Sequence, residues 1–258
     1  MLRRKRVNTT AVFLLLPLVA LCFMEHLPWW PVFALLFLWF SLTVFGSFFI
    51  QWNYHLTSKH ANKNIETNWV SITFDDGPNP EFTPKALELL AKYNAKATFF
   101  CVGQRIEKHP EILKQIISQG HTIGNHTYSH ANTFGFLSLD KVLNELVQTK
   151  DLVHSLTGKK IKLYRPAFGV TNPQIAKAVD KLKVHSIGWS VRSLDTTSRS
   201  EETVLKRITN KVSKGDIILL HDTNEKTIAV LEQLLLFLRK KNLSSVTVDR
   251  LLEIEAYA

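Results

Sequence analysis

Val70-Ser71-Ile72-Thr73-Phe74 runs directly into Asp75-Asp76-Gly77-Pro78, an apolar stretch stopped by two carboxylates and a Gly-Pro turn. A short run of this kind, bounded by a turn signal, reads as a buried β-strand. Working outward, strand-like segments recur at 97–102, 122–125, 163–165, 184–189, 216–220 and 245–248. Between them lie stretches with apolar residues at helical spacing: 84–93, 110–118, 139–156, 173–181, 201–212 and 226–240. Pro84 suits a first helical turn, and Gly120, Gly158 and Gly215 stand where helices should stop. Repeated strand-helix alternation predicts an α/β fold on parallel strands. Seven such strands could close into a barrel or lie open.

In either case chemistry gathers where strands end and βα loops begin. The unusual polar residues are found there. Asp75 and Asp76 follow the first strand; one carboxylate could hold a metal while its neighbour acts as a base, and an Asp-Asp-Gly by itself also suits a solvated turn. His126-Thr127-Tyr128-Ser129-His130 follows the third strand. Histidines four apart share one face of a helical turn, so both imidazoles can reach one ion. Two histidines and a carboxylate leave a coordination position open, as a catalytic site requires. Arg165-Pro166-Ala167-Phe168-Gly169 follows another strand, and its arginine could orient the carboxylate acting as base. Leu219-Leu220-His221-Asp222 ends an apolar strand in a titratable pair, with His221 suited to protonating a leaving group near neutral pH.

The order Thr-Phe-Asp-Asp-Gly, His-Thr-x-x-His, Arg-Pro-x-Phe-Gly and Leu-Leu-His-Asp resembles the polysaccharide deacetylases of the NodB-homology type, carbohydrate esterase family 4. The resemblance spans roughly 69–251 and implies a distorted (β/α) barrel. It implies Asp75 as general base, Asp76, His126 and His130 as metal ligands, and Arg165 as the tether of Asp75. It further implies an oxyanion contact from the Phe168 backbone N–H and His221 as general acid. The divalent ion it implies is Zn²⁺, with Co²⁺ or Ni²⁺ as alternatives. The family's Asp-x-x-Asp-Trp segment corresponds to Arg192-Ser193-Leu194-Asp195-Thr196. Asp195 therefore stands as the acidic partner of His221, while Arg192 and Thr196 depart from the pattern and alter the substrate-facing wall.

The N-terminal fifty residues are of a different kind. Between Val7 and Ile50 the only charged residue is Glu25, and the stretch follows Arg3-Arg4-Lys5-Arg6. Two apolar runs, 11–24 and 32–50, flank a break containing Trp29 and Trp30. The second is about the ~20 residues that span a hydrocarbon core. The first is short and also resembles a signal-peptide core, although no small-x-small cleavage site follows it. The reading is a membrane hairpin at 1–50, a polar linker at 51–68 and a catalytic domain at 69–258. The basic cluster favours a cytoplasmic N-terminus, and a two-span hairpin returns the rest of the chain to that side. If only the second run spans, the catalytic domain lies outside.

Composition agrees with two parts. The net charge is +10 over 258 residues, of which residues 1–68 carry six basic and two acidic side chains. No basic stripe interleaves with aromatics, so nucleic acid is not an expected partner. Two cysteines, Cys22 and Cys101, exclude a disulfide scaffold. The expected activity is metal-dependent removal of N-acetyl groups from an amino-sugar glycan by an enzyme held in the lipid bilayer. The alternative substrate is a lipid-linked amino sugar, deacylated or deformylated at the cytoplasmic face. A catalytically silent glycan-binding membrane protein is the non-enzymatic alternative; it has no need of Asp75, Asp76, His126, His130 and His221 together.

Overall fold

The computed structural model describes residues 3–258. In chain order the elements are α1 (Arg4–Phe23), α2 (Trp30–Phe48), β1 (Trp69–Asp75), α3 (Phe82–Lys92), β2 (Ala97–Cys101), α4 (Gly103–Lys108), α5 (Pro110–Ser118) and β3 (Thr122–Asn125). There follow α6 (Leu139–Thr157), β4 (Leu163–Tyr164), α7 (Pro173–Leu182), β5 (His185–Ser186), β6 (Val191–Arg192), α8 (Glu201–Thr209), β7 (Ile217–His221), α9 (Glu225–Lys240), β8 (Ser244–Ser245) and α10 (Val248–Leu252). All strand pairs are parallel, in the order β5-β4-β3-β2-β1-β7-β6, with β8 beside β1.

Chain connectivity forces this sheet to curl. Strands β5 and β6 lie at opposite ends of the seven-strand order, yet only residues 187–190 separate them. Six strand spacings in a flat sheet are roughly 29 Å. The five residue steps from Ser186 to Val191 reach only about 18 Å. The two ends must therefore come round toward each other, which gives the distorted barrel.

Alternation along each strand divides the side chains between two cores. Val70, Ile72 and Phe74 of β1 join Phe99, Ile123, Ile218 and Leu220 against the outer helices. Phe100, Leu163, Ile217 and Leu219 face inward with Trp189. On β1 the residues of opposite parity to Val70, Ile72 and Phe74 are Ser71, Thr73 and Asp75, which face inward and are buried. The same pleat that packs Phe74 outside carries Asp75 to the barrel mouth.

Two expectations need correction. The 245–248 segment contributes only Ser245 to a strand, because Val248 already begins α10, with Val248 and Leu251 buried against the inner core. The polar stretch 51–68 is not free of the domain. Lys59 pairs with Ile187, Ala61 pairs with Asp216, and Gln51 Nε2 donates to Trp189 O at 2.7 Å. This stretch lies along the seam between β5 and β6. Its pairing is largely through backbone groups, which leaves no apolar periodicity in the sequence.

Helices α1 and α2 pack as a hairpin, with Trp39 Nε1 donating to Asn8 Oδ1 at 3.0 Å. At 20 and 19 residues they are each about 30 Å long, the thickness of a hydrocarbon core. Both ends of the hairpin meet the catalytic domain side. Arg4 N–H donates to Tyr54 O at 3.0 Å, and Thr171 N–H donates to Ser47 O at 2.9 Å.

Candidate active site

Register brings the acid and base candidates together. Asp75 and His221 are direct partners across β1 and β7, at the carboxyl ends of both strands. Two strands away on the other side, Asn125 ends β3, and the chain turns immediately into His126. All eight candidate residues surround a cleft of about 270 Å³ or brace its lining, and Arg192, Thr196 and Trp189 form part of its wall.

Asp75 is buried and its Oδ1 accepts from Arg165 Nη1 at 2.7 Å. Arg165 has no exposed surface. Four of its five N–H groups are used, three of them donating to Thr73 Oγ1 (2.7 Å), Ile187 O (3.2 Å) and Gly188 O (2.9 Å). It also stacks 4.0 Å over the Phe100 ring. A charge this deep needs both its counter-ion and its remaining donors satisfied. Asp75 is therefore fixed in orientation, with Oδ2 facing the cleft, 3.8 Å from His126 Nε2.

Asp76, His126 and His130 converge. Asp76 Oδ1 lies 3.4 Å from His126 Nε2 and 3.2 Å from His130 Nε2, and one ligand atom from each lies within 4.8 Å of the others. Donors about 2.0–2.1 Å from a tetrahedral ion are separated by roughly 3.3 Å, so the spacing fits a bound Zn²⁺-like cation. His126 Nδ1 lies 2.9 Å from Arg165 O. A carbonyl only accepts, so Nδ1 carries the hydrogen and Nε2 offers its lone pair to the site. Burial pushes the Asp76 carboxyl up, but the hydrogen bond to His126 and the charges of His126, His130 and His221 outweigh it and hold the group well below the usual carboxylate range. Burial, with His126 beside it, pushes His130 down. Both directions, toward an ionised Asp76 and a more weakly basic His130, favour the forms that ligate a cation.

The histidine pair does not sit on a helical turn. It lies in a loop in which Thr127 (φ 69°) and His130 (φ 51°) are left-handed. Glu145 of α6 holds that loop: Oε2 accepts from Tyr128 N–H (2.9 Å) and Ser129 N–H (2.8 Å), and Oε1 accepts from Ser129 Oγ (2.8 Å). Asn125 Oδ1 accepts from Thr127 N–H at 2.9 Å. These local bonds replace a helical ladder. Glu145 is absent from the sequence reading because, on an amphipathic helix, it looks like any acidic residue of the polar face.

His221 Nδ1 lies 2.8 Å from Asp195 Oδ1, and His221 N–H donates to Asp195 Oδ2 at 2.8 Å. Ser193 and Thr227 hydroxyls donate to the same carboxylate, which has no exposed surface. Burial pulls His221 down, but Asp195 and the charges of Asp75 and Asp76 outweigh it, and its pKa is pushed up to about 9. It is a cation at neutral pH, as a proton donor must be.

Phe168 is half exposed and its ring centroid lies 4.5 Å from that of His130. Its backbone is left-handed (φ 59°, ψ 4°), a strained state for a bulky residue. The turn's hydrogen bonds run from Gly169 N–H to Pro166 O and from Val170 N–H to Ala167 O, so Phe168 N–H is not among its donors. Asp222 is a further residue the sequence left without a role. It is buried, accepts from Thr83 Oγ1, and stands against Gly77, where a Cβ would collide with its carboxylate. Burial pushes its pKa up to about 6. It braces the turn that carries Asp76.

A family model described as polysaccharide deacetylase matches residues 62–187. A Bacillus cereus peptidoglycan-N-acetylglucosamine deacetylase is 35% identical over 188 residues, covering 71% of this chain and 87% of that protein. The chain belongs to the polysaccharide deacetylase family. Another Bacillus cereus peptidoglycan-N-acetylglucosamine deacetylase is 38% identical over 60% of this chain, and the match spans only about half (56%) of that relative. The crystal structure of the Bc1960 peptidoglycan N-acetylglucosamine deacetylase superposes with a TM-score of 0.73 at 32% identity, covering 78% of this chain and 95% of that one. The fold is thus the curled parallel half-barrel of this family. BA3943 from Bacillus anthracis, described as a pseudoenzyme of carbohydrate esterase family 4, also superposes, with a TM-score of 0.70 at 26% identity over 76% of this chain and 69% of that one. Fold alone therefore does not carry activity; the side chains in the cleft must.

Proposed function

We propose that this protein is a membrane-anchored, metal-dependent N-deacetylase of an N-acetylated amino-sugar glycan. The peptidoglycan relatives supply the substrate class, and one observation carries the chemistry. Within a single cleft, a tethered carboxylate (Asp75), a three-residue cation site (Asp76, His126, His130) and a carboxylate-oriented imidazolium (His221) all converge.

A divalent cation bound by Asp76, His126 and His130 would supply Lewis acidity, acidifying water and polarising the amide carbonyl. Asp75, oriented by Arg165, accepts the proton of the attacking water. The Phe168 N–H donates to the oxygen that gains charge as the carbonyl carbon becomes tetrahedral. His221, held by Asp195, delivers its proton to the sugar nitrogen as the C–N bond breaks, so the products are acetate and a free amine. Arg192 and Thr196 line the wall where the family pattern has other residues, so contacts to the sugar differ there.

Anchoring rests on the hairpin. Its large apolar side chains are exposed along both helices, a surface that suits lipid and not water. Trp29 and Trp30 lie at its tip, where an aromatic belt belongs. Both hairpin ends meet the catalytic domain, so Arg3 to Arg6 lie on the domain's side, and the positive-inside rule supports a cytoplasmic catalytic domain. A reporter fused to the C-terminus reads this directly: cytoplasmic activity is expected, and activity only outside contradicts it.

The enzymatic claim is tested by acetate release from N-acetylglucosamine oligomers. Chelation should abolish release and added Zn²⁺, Co²⁺ or Ni²⁺ should restore it. Asp76→Ala should lose bound metal and activity together. Release that persists in the metal-free protein would contradict the reading.

A further inference from the structure

Beyond Trp52, the large apolar side chains exposed among the described residues are Phe136, Phe168 and Leu236. Two of these three meet at one place. Phe136, 92% exposed, and Phe168 line a groove of about 400 Å³ whose opposite wall is Val44, Ser47 and Phe48 of α2. The exposed lining of the groove is mostly apolar, with Gly135 and Val170 beside the aromatics and Asn132, Thr171 and Asn172 also bordering it. Phe168 belongs to the groove and to the catalytic cleft at once, with its ring against His130. The Thr171–Ser47 backbone bond fixes α2 to the loop that carries Phe168. An apolar path therefore runs from the exposed apolar surface of α2 to the edge of the candidate cation site.

A water-soluble polysaccharide has no use for that path. Exposed aromatics set against an apolar helix are costly in water and favourable around a hydrocarbon chain. The volume lies in the range of small-ligand sites. The same end of the hairpin carries Arg3, Arg4 and Lys5 in a pocket shared with Lys177, a cluster complementary to anionic lipid headgroups. Both the apolar and the charged features suit a cleft held at a bilayer surface.

We propose that the substrate is a lipid-linked N-acetylated amino sugar whose hydrocarbon chain lies in the groove between α2 and Phe136–Phe168 while its sugar amide occupies the cleft. The chain stays in the bilayer along α2, and the headgroup rises past Phe168 to Asp75 and His221. This rests on the deacetylase reading and specifies the form in which the glycan is met.

The test uses the full chain in phospholipid vesicles and measures acetate release from methyl, octyl and dodecyl N-acetylglucosaminides, with N-acetylglucosamine tetramer alongside. In wild type, kcat/KM should rise at least tenfold from methyl to dodecyl. Val44→Trp, which fills the groove, and Phe136→Ser, which removes one wall, should each bring the dodecyl-to-methyl ratio close to one. Because the readout is a ratio within each variant, a change in its overall activity does not enter. A tenfold ratio that survives in both variants would mean simple partitioning into the bilayer and would overturn the groove. A ratio of one in wild type, with rapid turnover of the tetramer, would overturn it in favour of a polymer substrate. Acetate from none of the compounds would sink the deacetylase reading itself, and the groove assignment with it.

Discussion

The hairpin and the catalytic domain are built from the same apolar residue types and use them in opposite ways. Phe37 and Phe40 of α2 are 73% and 59% exposed, whereas Phe74, Phe99 and Phe100 of β1 and β2 are at most 1% exposed. In the domain, strand alternation and helix stripes hide apolar surface from water. In the hairpin no such stripe exists, and in the proposed anchoring lipid hides that surface instead. Hydrophobicity alone therefore does not distinguish core from anchor; its periodicity does.

The difference is sharpest under matched substitutions. Leu87→Ala or Leu234→Ala, both fully buried, should destabilise the domain by about 2–5 kcal/mol. Leu38→Ala, at a position 55% exposed, should leave the domain's unfolding midpoint unchanged. Urea titration of the protein in detergent, followed by the domain's tryptophan fluorescence, reads both. Equal losses at both positions would break the comparison. A charge in the hairpin should show the converse. Phe37→Lys should weaken membrane insertion by about 3–4 kcal/mol on the insertion scale, the cost of Lys plus the lost gain of Phe. Carbonate extraction should then release more protein, while activity in detergent persists.

A third effect concerns the loop that holds the two histidines. Glu145→Ala removes three acceptor contacts to that loop and should weaken metal affinity about 10–100-fold, as loss of outer support does at other sites. Competition against a chromophoric chelator measures this, and an unchanged affinity would show that Asn125 alone suffices.

The smallest predicted effect is in pH. His221, pushed up to about 9, is protonated at neutral pH, so kcat/KM should fall as pH rises through about 9. Asp195→Asn removes the neighbouring carboxylate and should move that alkaline limb downward. The same raised pKa contributes stability that is full below the ordinary histidine value of 6.5 and is lost as pH rises through 9. Thermal melts at pH 6.5 and 9.5 should differ in wild type by more than in Asp195→Asn.

Much of this was legible in the sequence because it follows from local rules. The carboxylates after Phe74 and the histidine after Leu220 sit at the ends of apolar runs, and parallel pairing made them neighbours. The helices over 110–118, 139–156 and 173–181 were marked by amphipathic spacing and by Pro110, Pro173 and Gly158, and the structure places them within a residue of those bounds. What escaped was carried by contacts between distant segments. Lys59 and Ala61 join the seam through backbone pairing, which any side chain permits. Glu145 acts through the loop it braces, at Tyr128 and Ser129, 17 and 16 residues before it in sequence. The groove beside Phe168 exists only because α2 packs against a loop more than a hundred residues away. The His126–His130 loop, left-handed at Thr127 and His130, likewise departs from the helical spacing expected of it, although the two imidazoles still meet beside Asp76.

The central claim is that a carboxylate held by Arg165 takes the proton of the attacking water. Asp75→Asn, assayed for acetate release at pH 7 with bound metal quantified in the same sample, tests it most directly. Asparagine keeps the shape and an acceptor for Arg165 but cannot serve as the base. Activity should fall by about 10²–10⁴-fold, the usual share of a positioned acid or base, while stoichiometric metal is retained. Wild-type rates in a metal-loaded Asp75→Asn protein would contradict the account.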